Sequence, residues 1–299
     1  MPELPEVECV RRQLAPHLEG RRFERVVVSD PRLTRPADPL AVARSLEGER
    51  VEALDRRGKY LIVRFESGRA LLIHLRMTGS LRHARRGELV DHPHRRAVVT
   101  LDDGSDVAYR DIRRFGTWAL LERGEEAAYL AARVGAEPLA RSFTAVRLGD
   151  RLANRRAPVK AAILDQRTVA GVGNIYADEA LWYARVHPLR EARSLSDGEV
   201  AALHRGIRRA LERGIERQGA TLRDYRLPDG TDGGMQHEFR VYGRGGEPCD
   251  RCGTPIEKTR VAGRGTWYCP QCQRSPGEPA QAASSSSRRP SRSSRTRSE

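Results

Sequence analysis

Four of the five cysteines, Cys249, Cys252, Cys269 and Cys272, stand in C-x2-C-x16-C-x2-C spacing. Each short pair can put two thiolates on one turn, and two such turns on a short hairpin complete a tetrahedral Zn2+ site. Two disulfides are the alternative; the lack of a secretory signal implies a reducing compartment and weighs against them. Four protein ligands leave no open position, so the expected cofactor is one structural Zn2+. A second chemical cluster opens the chain, where "MPELPEVE" gathers Pro2, Glu3, Glu6 and Glu8 in a protein of formal net charge +14. Proline in a first turn and acids at the positive end of a helix dipole are ordinary helix-start chemistry. The other reading makes the terminus itself an active site.

The elements that must position these groups follow from periodicity. Leu4, Val7, Val10, Leu14 and Leu18 recur at steps of three and four, which predicts an opening amphipathic helix. The first half then reads as strands: "RVVVS" at 25–29, and two hairpins in which "ESGR" joins "YLIVRF" to "ALLIHL" and "DDGSD" joins "AVVTL" to "VAYR". An antiparallel β-sandwich or flattened barrel is expected over residues 1–135, closed by "VGAEPLARS" at 134–142. The period then changes, and helices are expected near 144–156, 159–165, 175–185 and 196–217, the last opened by a Ser196/Glu199 capping box. The helical domain spans 140–227, a Gly-rich connector 228–246 and the cysteine module 247–274. Residues 275–299 are dominated by Ser, Pro, Arg and Ala without periodicity, and a disordered basic tail is expected there. The fold class is therefore α+β.

No apolar run approaches the roughly 20 residues of a membrane span, so no membrane partner is expected. The N-terminus lacks a basic n-region and an h-region, which predicts a cytoplasmic location. Lysine and arginine number 54 against 40 acidic residues and the pI is near 10.3, which points to a polyanionic partner such as nucleic acid rather than a merely solvated basic surface. Only Lys59, Lys160 and Lys258 are lysine. Where arginine is the default, a surviving lysine marks a place that needs a compact ammonium. The hairpin sequence "KTRVAGRGTWY" sets Lys258, Arg260 and Arg264 beside Trp267 and Tyr268, the composition of a strand pair that grips a phosphate backbone.

Separated stretches agree on one family. "MPELPEVE", "RRGKYLIV", "HLRMTGSL", "DIRRFGTW", "PVKAAILDQRTVAGVGNIYADEALWYARVHP", "LRDYRLPDGTDGGMQHEFRVYGRGGEPC" and "GRGTWYCPQCQ" resemble, in order and spacing, the bacterial formamidopyrimidine-DNA glycosylases over residues 1 to about 273. "PELPE" resembles the formamidopyrimidine branch, whereas the endonuclease VIII branch typically reads "PEGPE". The resemblance implies a β-sandwich followed by a helix-two-turn-helix domain with a zinc hairpin, damaged double-stranded DNA in the cleft, and a monomer. It implies excision of oxidised purines, chiefly 8-oxoguanine and ring-opened formamidopyrimidines, followed by cleavage of the abasic strand.

Residue by residue, the resemblance makes Pro2, freed by removal of Met1, the amine that attacks the sugar. An α-amine with a pKa of roughly 8 is partly neutral at physiological pH, and a secondary amine can form the iminium that drives β- and δ-elimination. Glu3 carries protons, and Glu6, three residues on, supports it. Glu8 faces elsewhere and keeps its helix-dipole role. Lys59 lies near the scissile phosphate, and Arg264 grips the phosphates flanking the lesion. Lys160 and Asn174 match phosphate ligands, Asn174 after "GVG" at a helix start whose free N–H groups suit an oxyanion. His94 joins these DNA contacts. Met77, Arg113 and Phe115 match the wedge that fills the space left by an extruded base. "LPDGTDGG" matches the loop that closes over an everted purine. Arg76 stands where a glycine is usual, just before the wedge methionine, and Cys9 replaces a common threonine. An endonuclease VIII-like glycosylase for oxidised pyrimidines and a noncatalytic DNA-binding relative remain the alternatives.

Overall fold

The computed structural model describes residues 1–89 and 93–275. The expected basic tail, apart from Ser275, lies outside the described residues. The opening helix, α1 (Leu4–Leu18), is started by a reciprocal capping box between Glu3 and Glu6 with proline in its first turn. Eight strands follow, with α2 (Pro39–Leu46) inserted after the first: β1 (Phe23–Val28), β2 (Val51–Arg57), β3 (Tyr60–Phe65), β4 (Ala70–His74), β5 (Gly79–Arg85), β6 (Arg95–Leu101), β7 (Ser105–Asp111) and β8 (Thr117–Leu121). They form two antiparallel four-stranded sheets, in the orders β1-β6-β7-β5 and β2-β3-β4-β8. Both predicted hairpins are present: β3 pairs with β4 from Tyr60↔His74 to Arg64↔Ala70, and β6 pairs with β7.

The unbroken apolar runs of β3 and β4 have a packing cause. Leu61, Val63, Phe65, Leu71 and Ile73 face the core between the sheets, whereas Tyr60, Ile62, Ala70 and Leu72 pack outward with Leu130 of α3 (Glu125–Ala131), Val134 and Ala170. Both faces are covered, so polar residues cannot alternate with apolar ones.

The second half contains α4 (Ala145–Leu152), α5 (Val159–Leu164), α6 (Asn174–Ala184) and α7 (Asp197–Glu216), then the hairpin β9 (Glu257–Val261) and β10 (Arg264–Tyr268). The predicted Ser196/Glu199 capping box opens α7. At Gly206 of α7 an added Cβ would lie 2.4 Å from the Ala180 carbonyl oxygen, and at Gly214 one would lie 2.5 Å from the Tyr176 ring. Only glycine permits this approach of α7 to α6. Among the described residues no helix is long and apolar enough to cross a membrane.

Helix α1 belongs to both halves. Val7, Val10, Leu14 and Leu18 lie in the sandwich core, while Leu4 lies in the helical core with Ile163, Tyr176, Leu203 and Leu211. Glu8 adds an ionic tie and is more than a dipole partner. It is 8% exposed and is held by Arg11, Arg12 and, from β2, Arg56 at 3.0 Å. Arg56 also binds Glu137 at 2.8 Å, and Glu137 binds Arg57 and the Gly58 N–H. Helix, strand and interdomain segment thus share one network.

Burial by itself would push the Glu8 carboxyl up, but the hydrogen bonds from Arg11 and Arg12 and the charge of Arg56 bring it down from 4.5 to about 2. A folded-state value below the unfolded one stabilises the protein above the unfolded value, and that stabilisation is lost as pH falls toward the folded one. Glu8→Gln is therefore expected to lower the melting temperature at about pH 6 and to lower it progressively less as the pH is taken below about 4. Thermal denaturation across that range checks it; a decrement independent of pH would show that the network contributes by shape alone.

Candidate active site and nucleic-acid interface

The N-terminus is inserted between the two halves of the molecule. Pro2 is buried behind an exposed Met1. Glu3, 2% exposed, accepts hydrogen bonds from the backbone N–H groups of Gly173 (2.6 Å), Ile175 (2.9 Å) and Tyr176 (3.4 Å). These are the unpaired donors at the positive end of α6, so the helix supplies what water would otherwise give the carboxylate. An added Cβ at Gly173 would lie 2.3 Å from the Glu3 carboxyl carbon, and at Gly171, where φ is +83°, one would lie 2.6 Å from Leu4. The glycines of "GVGN" are there to admit α1.

Glu6, 1% exposed, accepts from the Glu3 N–H (2.8 Å), the Tyr176 hydroxyl (2.7 Å) and the Ala220 N–H (2.9 Å). It joins α1, α6 and the segment after α7. Lys59, at the turn before β3, is 6% exposed. Burial lowers its affinity for a proton, the Glu3 and Glu6 carboxylates raise it, and the Arg264 and Arg76 cations lower it again. Burial raises the Glu3 carboxyl above the usual carboxylate range, with the Lys59 ammonium pulling it back.

On the facing side, Asn174 Nδ2 donates to the Gly265 carbonyl at 3.0 Å, and its Oδ1 is buried without a hydrogen-bond partner among the described residues. The hairpin that carries Gly265 also anchors its Trp267 N–H on Asp178 at 3.1 Å, leaving Arg264 exposed at its tip. The four cysteine sulfurs lie within 4.8 Å of one another. The Trp182 indole N–H donates to Cys249 Sγ, and the Cys272 N–H to Cys269 Sγ, each at 3.4 Å. Four converging sulfurs with N–H groups directed at them are the donor set of a closed zinc centre. Cys249, Cys252, Cys269 and Cys272 hold one structural Zn2+. Cys9 is separate, a buried residue whose thiol reaches the Ile215 carbonyl.

Met77, Arg113 and Phe115 come together at one end of the sandwich, on the turns β4–β5 and β7–β8. Phe115 is 52% exposed under the Arg113 guanidinium, which lies 4.8 Å from its ring centre, and Met77 is half-buried. Arg76 takes φ +53°, the left-handed region that favours glycine, with its N–H donated to His74 Nδ1 at 3.0 Å. His74 is held neutral, lowered to about 3 by burial and by the charges of Arg76 and Lys59. His94 is exposed at φ +63°, and its carbonyl accepts the Asp111 N–H. The Gly-rich loop rests on the free edge of β5, where the His83 N–H donates to the Pro228 carbonyl at 3.1 Å.

Comparison with known proteins bears on this arrangement. Residues 1–118 match the formamidopyrimidine-DNA glycosylase N-terminal domain, 134–226 its H2TH domain, and 246–274 the zinc finger found in FPG and IleRS. A formamidopyrimidine-DNA glycosylase of Symbiobacterium thermophilum is 50% identical over 91% of this chain and 89% of its own. A Lactococcus lactis FPG mutant in complex with Fapy-dG-containing DNA superposes with a TM-score of 0.84 at 37% identity, covering 92% of this chain and 100% of that one. A MutM bound to DNA containing carbocyclic 8-oxo-G gives 0.84 at 36% identity, with the same coverage. The chain belongs to the formamidopyrimidine-DNA glycosylase family.

As a member of that family it is a DNA glycosylase of DNA repair, and two sequence expectations change in detail. Lys160 is fully buried and its ammonium is spent inside the protein, on Asp178 (2.7 Å), the Gly265 carbonyl (3.0 Å) and the Thr266 hydroxyl (2.8 Å). That leaves none of its three N–H donors for a phosphate. The N–H groups after "GVG" are likewise not free for an oxyanion, because the carboxylate of Glu3 occupies them. Sequence reasoning missed Tyr176, Asp178 and Glu179, the last buried and holding the N–H groups of Arg240, Val241 and Tyr242 at 2.9–3.1 Å. The polar letters in "NIYADEALWYA" inside an otherwise apolar helix were the available signal.

Lys160→Met is expected to cost about 3–5 kcal/mol of stability by leaving Asp178 buried and unpaired. In an Arg264→Ala background, where the contact presented by its hairpin is already gone, it should leave the salt dependence of DNA binding unchanged, since the buried ammonium itself releases no counterion. Melting and binding isotherms over a range of salt check both; a shallower salt slope would return Lys160 to the phosphate ligands.

Proposed function

We propose that the protein excises oxidised purines, 8-oxoguanine and ring-opened formamidopyrimidines, from double-stranded DNA and then cleaves the abasic strand through an N-terminal proline Schiff base. The observation that carries this reading is the buried corner made by Pro2, Glu3 and Lys59, in which an acid held above its usual range lies beside the nitrogen that becomes the chain-terminal amine once Met1 is removed.

With Met1 removed, the Pro2 nitrogen attacks the sugar C1′ and the C1′–base bond breaks, the pair of electrons leaving with the base. Glu3, protonated more readily because it is buried, delivers a proton to the sugar ring oxygen as the ring opens, and the nitrogen lone pair closes the iminium. The iminium acidifies the proton on C2′; its removal expels the 3′ phosphate, and a second elimination expels the 5′ phosphate. Glu6 holds the Glu3 backbone, and Lys59 and Arg264 supply positive charge against the phosphates. Asn174 and His94 stand with the DNA contacts, while Met77, Arg113 and Phe115 fill the space of the everted base. Lys160 serves this reading indirectly, by holding the hairpin that presents Arg264.

Borohydride reduction in the presence of an 8-oxoguanine duplex should trap a covalent complex, which Pro2→Gly should abolish. Glu3→Gln should slow excision by about 10²–10⁴-fold. A complex that survives Pro2→Gly undiminished would overturn the mechanism. Trapping on oxidised-pyrimidine duplexes alone would move the substrate class to that of the endonuclease VIII branch.

A further inference from the structure

Two turns carry the wedge, and each is strained in the same way. Met77 follows Arg76 at φ +53°, and Phe115 follows Arg114 at φ +59°. A left-handed arginine persists only where its surroundings over-determine it. Arg114 is tied from outside the sandwich, with its Nε and Nη2 on the buried Asp30 at 2.6 and 2.8 Å. Both turns meet inside it, at the end of β7.

Asp111, the last residue of β7, is 1% exposed. Across the sheet it pairs in register with Gly79, the first residue of β5. Its Oδ1 accepts the Thr78 hydroxyl and, at 3.2 Å, the Arg113 N–H, which also donates to Thr78 Oγ1 at 3.0 Å. Its Oδ2 accepts the Gly116 N–H at 2.8 Å. One carboxylate therefore bonds the residue after Met77 and the residues on either side of the Arg114–Phe115 pair. Tyr109, two residues back on the same face and fully buried, fills the space between the turns. A Cβ on Gly79 would lie 2.5 Å from its hydroxyl and one on Gly116 only 1.6 Å. Nothing larger than glycine can stand at either root.

We propose that Asp111 is a positioning residue that locks the Met77 turn to the Arg113–Phe115 turn, so that the three side chains enter the duplex as one rigid unit. The proposal rests on the wedge assignment made above. Asp111 touches no DNA; it acts through Thr78, Arg113 and Gly116. Were the turns independent, each tip would be ordered separately during insertion, and eversion of a paired base would slow while chemistry on a site without a base would not.

The test compares Asp111→Asn, Thr78→Val and Met77→Ala/Phe115→Ala on two duplexes, one with 8-oxoguanine opposite cytosine and one with a preformed abasic site, under single-turnover conditions. Asp111→Asn keeps the volume but presents an N–H2 to other donors, and Thr78→Val removes the two hydrogen bonds, to Asp111 and from the Arg113 N–H, that tie the Met77 turn to its neighbour. Each is expected to slow excision of 8-oxoguanine by at least about tenfold, a displacement effect on a reacting geometry, while strand cleavage at the abasic site changes by less than about twofold. A 2-aminopurine beside the lesion should report slower unstacking to the same extent. Adding either substitution to Met77→Ala/Phe115→Ala should slow excision no further, because the same step is already lost. Equal slowing on both duplexes, or a multiplicative effect on top of the wedge deletion, would overturn the coupling. So would normal excision by Thr78→Val, with its melting temperature measured alongside that of the wild type. Normal excision by Met77→Ala/Phe115→Ala would instead overturn the wedge assignment itself.

Discussion

A carboxylate taken out of water must be given donors by the protein, and at the N-terminus of this chain two must be provided for at once. Glu3 and Glu6 are both almost fully buried, three residues apart on one helical turn. The start of α6 provides for Glu3, and a tyrosine hydroxyl with a single backbone N–H from beyond α7 provides for Glu6. Neither set of donors lies in the β-sandwich that α1 otherwise packs against. The buried acids of the terminus can therefore be solvated only when the helical half is docked, and docking places Leu4 in the second core. Burying these acids without partners would cost several kcal/mol each, so the buried terminus and the domain junction form and fail together.

The zinc hairpin meets the same junction from the opposite side. Its strands are short and its tip is basic, so a two-stranded ribbon of this size is marginal without support. Zinc fixes one end, and the other is held by the Gly265 carbonyl, on which both Lys160 and Asn174 converge. Asp178 completes the clamp by taking the Lys160 ammonium and the Trp267 N–H. Since α6 also offers its first N–H groups to Glu3, one eleven-residue helix sets both the acid at Pro2 and the reach of Arg264.

How much of this was legible in the sequence divides along sequence distance. Local pattern located α1, the two β hairpins, the four main helices and the four cysteines, because apolar period, turn residues and ligand spacing are all decided within a few positions. The strands β2, β5 and β8 were not located: "VEALDRR" and "GSLRHAR" carry charged residues on half-buried faces, and their pairing is fixed by neighbours, not by alternation. The site divides likewise. The resemblance named Pro2, Glu3 and Lys59, but the partners of Glu3 lie about 170 residues away, and nothing local in "GVGN" distinguishes glycines that admit a helix from glycines that admit a phosphate. Asp111 sits in an ordinary-looking "YRDIRRFG", and its role exists only once β5 and β7 are paired.

The scarcity of lysine carries physical information of a different kind from the one first read into it. A guanidinium has five N–H donors spread over a plane and an ammonium has three on one atom, so a buried cation is more easily satisfied as lysine. Of the three lysines, Lys59 and Lys160 are both buried, and Lys160 meets one acceptor for each of its donors: a carboxylate, a carbonyl and a hydroxyl. Arginine at that position would bring two further donors and a planar group into a space where the lysine is already fully buried. Lys258, the exposed exception, lies 5.3 Å from the Trp267 ring on the hairpin, where an arginine would serve as well. Choice of a compact ammonium thus follows burial first, and at Lys59 the buried cation also stands against the buried carboxylates of Glu3 and Glu6.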